Sequence, residues 1–319
     1  MRQSTVNEGN SFGMNTEIAY SVFGEKAESA IAAMTTELLR LENKLSRFMP
    51  SSEVSRINRL AGLDSIKISR ELYEILSFAH LVSEISQGMF DITVAPLVDL
   101  WGYKKAKDVP AKSKIRNILL KVDYRELILN PKDHIAGLSK LGHAIDLGGI
   151  GKGYASDRCM QLFQQYGVNS AYINIGGNVA TLGNKPDSSL WRVGIRHPRH
   201  DQQLIGVVRV AGKAVVTSGD YERCFFDRQD KRWHHILDPT TGYPAESGLI
   251  SVSVIADSAM IADALSTAIF VAGLNKGIGY LAQFPRTEIV IVDKNLQVFI
   301  TPGLNEWFHA ADGIKVNII

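Results

Sequence analysis

Apolar residues at Ile31, Met34, Leu38, Leu41 and Leu45 recur at steps of three and four, which predicts an amphipathic helix with Glu37, Arg40 and Lys44 off its apolar face. Pro50 and the serines from Ser46 to Ser52 break that pattern. A second helix is expected after a Ser69 N-cap, through Leu72, Ile75, Leu76, Ala79, Val82 and Ile85, with Gly88 placed to end it. Residues 104–116 are Lys-rich and mixed, and read as a solvated connection. Beyond residue 140 the texture changes. Short alternating or β-branched runs at 172–175, 191–195, 205–210, 250–255 and 288–292 predict strands, and helical patterns interrupt them at 152–165 and 258–271. Helices and strands mix without strict βαβ alternation, and no repeat of 20–50 residues is present, so the expected class is α+β.

Composition narrows the function classes. The 319 residues include 35 Lys+Arg against 33 Asp+Glu, a net charge of +2, so no basic face is forced and nucleic acid is not an expected partner. A chain this long buries about 75% of its unfolded surface and needs no covalent staples. Its two cysteines, Cys159 and Cys224, exclude a disulfide framework. No apolar run approaches the roughly 18–20 residues that span a bilayer, so membrane insertion is not expected. The first fifteen residues carry one Arg, no apolar block and no Cys. They read as neither signal peptide nor lipid anchor, and the expected location is cytoplasmic.

Three segments carry candidate chemistry. The run Asp146-Leu147-Gly148-Gly149-Ile150-Gly151-Lys152-Gly153-Tyr154 opens a helical pattern, where missing Cβ atoms and a helix N-terminus suit a pyrophosphate. It is not a Walker A loop, since Asp146 and Gly153 stand where Gly and Ser/Thr are required, and its glycine spacing does not match the dinucleotide fingerprint. A tight turn with close helix–sheet packing explains the same glycines. Asp263 and Thr267 are four apart on a largely apolar helix and offer a carboxylate and a hydroxyl to one point. Such oxygens suit Mg²⁺; an ordinary Asp–Thr hydrogen bond is the plain alternative, though a carboxylate on a buried helix is costly unless paired or metal-bound. His234 and His235 precede the turn Asp238-Pro239-Thr240-Thr241-Gly242. No Cys or third His lies at zinc-site spacing, and a positioned imidazole can take a proton from a hydroxyl.

Read in order, these segments resemble the FAD:protein FMN transferase (ApbE) family. The resemblance runs from Gly13-Met14-Asn15-Thr16 through Leu45-Ser46-Arg47-Phe48, Ser52-Glu53-Val54-Ser55-Arg56-Ile57-Asn58 and Gly88-Met89-Phe90-Asp91-Ile92-Thr93-Val94-Ala95-Pro96-Leu97. It continues with the glycine turn, Asn174-Ile175-Gly176-Gly177-Asn178, Thr217-Ser218-Gly219-Asp220-Tyr221, His235-Ile236-Leu237-Asp238-Pro239, Thr241-Gly242-Tyr243-Pro244 and Ala262-Asp263-Ala264-Leu265-Ser266-Thr267. Three departures stand out: Asn15 where the family usually has Gly, Phe48 where Tyr is common, and no export signal of the kind many relatives carry.

The resemblance implies a T-fold-like α+β architecture with FAD in a cleft between subdomains, a tail at residues 1–12 and one domain at 13–319, divisible into two subdomains. It implies Mg²⁺ held by the Gly149 carbonyl, Asp263 and Thr267. FAD contacts would come from Met14, Phe48, Met89, Phe90, Asp91, Asp146, Lys152 and Leu237, with His235 as general base. The acceptor would be a protein Ser or Thr in a motif like Asp-x-x-Ser/Thr-Gly-Ala-Ser/Thr. Two other functions fit parts of this pattern: an FAD pyrophosphatase giving FMN and AMP, and a non-catalytic FAD-binding protein. Thr241 lies in a partial match to the acceptor motif, which Tyr243 and Pro244 break.

Overall fold

A computed structural model describes residues 6–103 and 108–319. The chain opens with a hairpin, β1 (Val6–Gly13) and β2 (Thr16–Phe23), followed by α1 (Ala27–Leu45) and α2 (Glu53–Arg59). Next come β3 (Ile66–Lys67), α3 (Arg70–Ile85), α4 (Ala95–Trp101), α5 (Lys112–Leu119), β4 (Leu127–Asn130) and β5 (Ile135–Leu138). After α6 (Gly151–Gln165) follow β6 (Ser170–Ile175), β7 (Asn178–Leu182), β8 (Trp191–Arg196), β9 (Leu204–Val210), β10 (Ala214–Gly219), β11 (Cys224–Phe226), β12 (Arg232–His234) and β13 (Leu249–Ala256). The chain ends with α7 (Ala259–Ala272), α8 (Leu274–Tyr280), β14 (Glu288–Asp293), β15 (Val298–Ile300), β16 (Phe308–Ala310) and β17 (Val316–Ile318).

The expected periodicities form the expected elements. Met34, Leu38, Leu41 and Leu45 are buried along α1. The Ser69 hydroxyl caps α3 by accepting from Leu72 N at 3.3 Å. That helix stops at Ile85, and the left-handed Gln87 and Gly88 (φ 54° and 83°) let Gly88 N–H close on the Ser83 carbonyl at 2.8 Å. Two expectations change. Residues 6–12, read as a tail, form β1 against β2, with residues 1–5 outside the described part. Residues 112–116, read as a solvated connection, belong to α5, which buries Ile115, while 104–107 lie outside the described residues.

Among the described residues, nine strands form one sheet in the order β1-β2-β6-β7-β10-β13-β14-β15-β17, antiparallel except for β15–β17. Side chains alternate across this sheet. Val216, Val252, Val254 and Ile291 face a core shared with α1, α3, α6 and α7, while Val215, Ile250, Val290 and Val292 face a second core under the β16-β9-β8 sheet. Strand β13 is sandwiched and buried along its whole length, Ser251 and Ser253 included, which explains why its other six positions are all apolar on both faces. A third cluster, around Leu97, Trp101, Trp233 and Leu237, ties α4 and α5 to the run after β12. No described helix is long and apolar enough to cross a membrane.

Candidate active site

The site is built at the N-terminal end of α6, where that helix meets α7. Asp157 on α6 holds the start of α7, accepting from Ser258 Oγ at 2.6 Å, Ala259 N at 2.7 Å and Met260 N at 3.1 Å. Gly153 allows the contact: a Cβ there would sit 2.3 Å from the Ala259 carbonyl oxygen. This close approach brings Asp263 Oδ2 within 2.9 Å of Gly153 N–H. Asp263 is almost fully buried. Burial pushes its pKa up, and Lys152, the Gly153 N–H and the Asn178 amide pull against that rise.

Thr267 lies one helical turn along α7. A Cβ on Gly149 would fall 3.4 Å from Thr267 Oγ1 and 3.3 Å from the Phe90 ring, so the glycine run passes directly over this residue. None of Gly148, Gly149, Gly151 or Gly153 has a positive φ. Glycine is needed here for close approach. Ser218 on β10 completes a hydroxyl cluster, 2.8 Å from Ser266 Oγ and 3.3 Å from Thr267 Oγ1. Its contribution was hidden at the sequence level, where only its place in the Thr217-Ser218-Gly219 segment marked it.

His235 follows β12 and is half-buried, with Nδ1 enclosed and unpartnered. Burial, with Arg223, His234 and Lys152 nearby, lowers its pKa to about 3, so the imidazole is neutral. Lys152 is thus the common neighbour of His235 and Asp263. The adjacent His234 is saturated: its Nε2 meets the Ala245 carbonyl at 3.1 Å, its Nδ1 accepts from Ile236 N at 3.3 Å, and its ring packs edge-on to Phe270.

Two hairpin turns close the same end of the sheet. Met14 and Asn15 occupy the β1–β2 turn with φ of 53° and 59°, a conformation Asn tolerates, which accommodates the missing glycine. Gly176 and Gly177 make the β6–β7 turn, and Lys152 Nζ lies 3.5 Å from the Gly176 carbonyl.

On the remaining side, Arg47 binds Asp146 at 2.6 Å and grips both Asp99 oxygens at 2.7 and 3.0 Å, while its guanidinium covers the Phe48 ring at 4.4 Å. Phe48 is itself 72% exposed. Arg47 carries no role in the sequence reading, because its two partners lie 52 and 99 residues away. Asn58 pins the segment entering the turn through both main-chain groups of Ile145. Leu237 is buried against the third cluster, and Met89 is half-buried beside Phe90. The Asp91 carboxylate turns to Thr93 N, Thr93 Oγ1 and Tyr124 N, at 2.7, 2.7 and 2.9 Å. A hollow of about 520 Å³ beside the His235 run is lined by Trp233, Asp238, Thr241, Tyr243 and Pro244. A trough of about 700 Å³ lies across β8, β9 and β16, on the other side of the nine-stranded sheet from this chemistry.

A family model described as the ApbE family matches residues 14–291. The chain belongs to the ApbE family. Relatives named FAD:protein FMN transferase include one from Klebsiella pneumoniae, 36% identical over 278 residues, covering 86% of this chain and 85% of the relative. Another, from Treponema pallidum, is 34% identical and covers 90% of this chain and 83% of its own. The crystal structure of the ApbE protein from Thermotoga maritima superposes with a TM-score of 0.85 at 33% identity, covering 92% of this chain and 96% of that one. The Pseudomonas stutzeri flavinyl transferase ApbE gives 0.82 at 27% identity, covering 97% and 99%. The α+β architecture is therefore the ApbE fold.

Proposed function

We propose that this chain moves the FMN half of FAD onto a Ser or Thr hydroxyl of an acceptor protein and releases AMP. One observation carries the reading: Asp263, Thr267 and Gly149 converge near Lys152, which is also a charged neighbour of the neutral His235. Among the described residues no three His, Cys, Asp or Glu side chains cluster as a metal site. One carboxylate, one hydroxyl and one main-chain carbonyl form a sparse, hard-oxygen set, which fits Mg²⁺ sharing its other positions with phosphate oxygens and water. Asp263, Thr267 and the Gly149 carbonyl would hold the ion. Bound there, Mg²⁺ would neutralise charge on the pyrophosphate during in-line displacement.

The chain's own groups do the rest. Lys152 and the N-terminus of α6 attract the pyrophosphate. Met14, Phe48, Met89, Phe90 and Leu237 offer apolar or aromatic surface to the flavin and adenine, while Asp146 and Asp91 brace the segments around them. His235 takes the proton as the acceptor oxygen bonds to the FMN phosphorus. The bond from that phosphorus to the bridging oxygen breaks, and AMP leaves with the electron pair. A base that is neutral before FAD arrives is ready to accept this proton, and the phosphate charges raise its basicity on binding.

The test is incubation of the full chain with FAD, Mg²⁺ and an acceptor protein carrying an Asp-x-x-Ser/Thr-Gly-Ala-Ser/Thr sequence, followed by intact mass. A gain matching FMN with release of AMP supports transfer. FMN and AMP without that gain means hydrolysis, and unchanged FAD means binding alone. Asp263→Asn should lower turnover by orders of magnitude while FAD still binds, because the charge is removed and the shape retained. Wild-type turnover by this variant at trace Mg²⁺ would remove the metal assignment.

A further inference from the structure

Asn178 opens β7 directly after the two-glycine turn, its backbone paired to Ile175 on one side and Val216 on the other. Its side chain is wholly buried. Neither Nδ2 nor Oδ1 closes a hydrogen bond of good geometry, yet β7 packs against both α6 and α7, and the amide is the side-chain hydrogen-bonding neighbour of the Asp263 carboxyl. The rest of β7 is Val179, Ala180, Thr181 and Leu182, all buried, so packing alone does not call for an amide here. Enclosing one with its hydrogen bonds unmade carries a desolvation cost that an apolar residue of similar size would avoid. A polar group kept at such a cost needs a partner that matters.

We infer that Asn178 is a positioning residue for Asp263, its Nδ2–H donating to the carboxylate as that group takes up a divalent cation. Gly153 N–H already holds Oδ2 from α6. A second donor from β7 fixes the plane of the carboxylate from another direction and leaves its remaining lone pairs for the cation. Lys152 cannot do this: its ammonium lies by the Gly176 carbonyl and acts on Asp263 through charge alone. The inference rests on reading Asp263 as a cation ligand. Partners that orient a metal ligand typically change metal affinity by about 10–100-fold.

The experiment titrates Mn²⁺ into the full chain, followed by the EPR signal of free ion, first alone and then with ADP supplying a pyrophosphate. Asn178→Leu should weaken Mn²⁺ binding by about 10–100-fold. Its metal-free Tm should stay at or above wild type, because a buried unmet amide has been replaced by an apolar group of similar size. Asn178→Ser keeps a shorter donor and should fall between the two in affinity, with no matching order in Tm. Wild-type affinity in both variants, or losses that track metal-free Tm, would overturn the role. If the Leu variant does not fold, the Ser variant decides alone: weaker binding at unchanged Tm supports the role, and unchanged binding ends it. A wild-type chain that takes up no Mn²⁺ with or without ADP removes the metal reading itself, and this inference with it.

Discussion

His234 and His235 share one short run, but the hydrogen-bond partners around them differ. His234→Ala deletes two hydrogen bonds and the edge contact to Phe270, and should cost about 1–3 kcal/mol of stability while turnover of the folded protein stays within a few fold. His235→Ala should change stability little and lower transfer by roughly 10²–10⁴, as for a lost general base. Thermal melts and transfer rates on both variants check this, and the reverse ranking would sink the assignment. Asp91 supplies a pH test. Burial lifts its pKa from 3.8 to about 6 despite three hydrogen bonds. The native state therefore binds this proton more tightly than the unfolded chain. The group's contribution to stability is full below about pH 4 and is lost as pH rises through about 6. Asp91→Asn removes that titration, so the stability difference between variant and wild type should drift by at most about 3 kcal/mol between pH 4 and 6 and then level off. Melting curves from pH 4 to 8 read it directly, and a flat difference throughout would show that Asp91 does not titrate in this window.

At the scale of elements, the contact between α6 and α7 sets the spacing of the site. Gly153→Ala would place a methyl 2.3 Å from the Ala259 carbonyl oxygen, and backbone cannot swing aside as a side chain can. The helices must separate, at a cost of about 1–3 kcal/mol. Gly151→Ala meets nothing nearer than Leu147 Cβ at 3.7 Å and should leave the ligand-free Tm within a few degrees of wild type. Melts with and without FAD then assign each glycine, since a ligand that binds only the native state raises the midpoint. A Gly151→Ala protein with normal stability and a reduced FAD shift places that position against the ligand. A normal shift makes it scaffold. The same pair of melts on Gly153→Ala should show a lower ligand-free Tm.

Over the whole molecule, two cores flank the nine-stranded sheet, and the third cluster fastens the loop that follows β12. Trp101 is its anchor: fully buried, it donates from Nε1 to the Gly242 carbonyl at 2.8 Å, 141 residues away. Within the loop, Asp238 N–H meets the Tyr243 carbonyl and Gly242 N–H meets that of Asp238, both at 2.8 Å. Trp101→Phe keeps an apolar ring and leaves the Gly242 carbonyl unmet, at about 1–3 kcal/mol. Loosening should be confined to the loop. Amide hydrogen exchange should speed up across residues 233–244 and remain unchanged in β10, β13 and β14. Equal acceleration in the central strands would mean that the cluster stabilises the fold globally and does not moor the loop.

Helical periodicity made α1, α3 and α7 readable from the chain, and β-branched runs marked β6, β8, β9, β13 and β14, because these patterns depend on neighbours a few residues apart. The same local spacing singled out Asp263 with Thr267, and the glycine run before α6. The β1 strand was not legible, since the sequence Val-Asn-Glu-Gly-Asn-Ser-Phe-Gly is mostly polar and pairs on one side only, with β2. Helix α5 was masked by lysines around its single buried residue, Ile115. The sheet order and the assembled site depended on tertiary structure. Gly153 meets Asp263 across 110 residues and Arg47 meets Asp146 across 99; the family resemblance names His235, but the partners that set it apart from His234, Ala245 and Phe270 around one and Lys152 near the other, come together only on folding. Local pattern determines which face of an element is apolar; burial, charge and hydrogen-bond partnership belong to segments far apart in the chain, and exist only once it has folded.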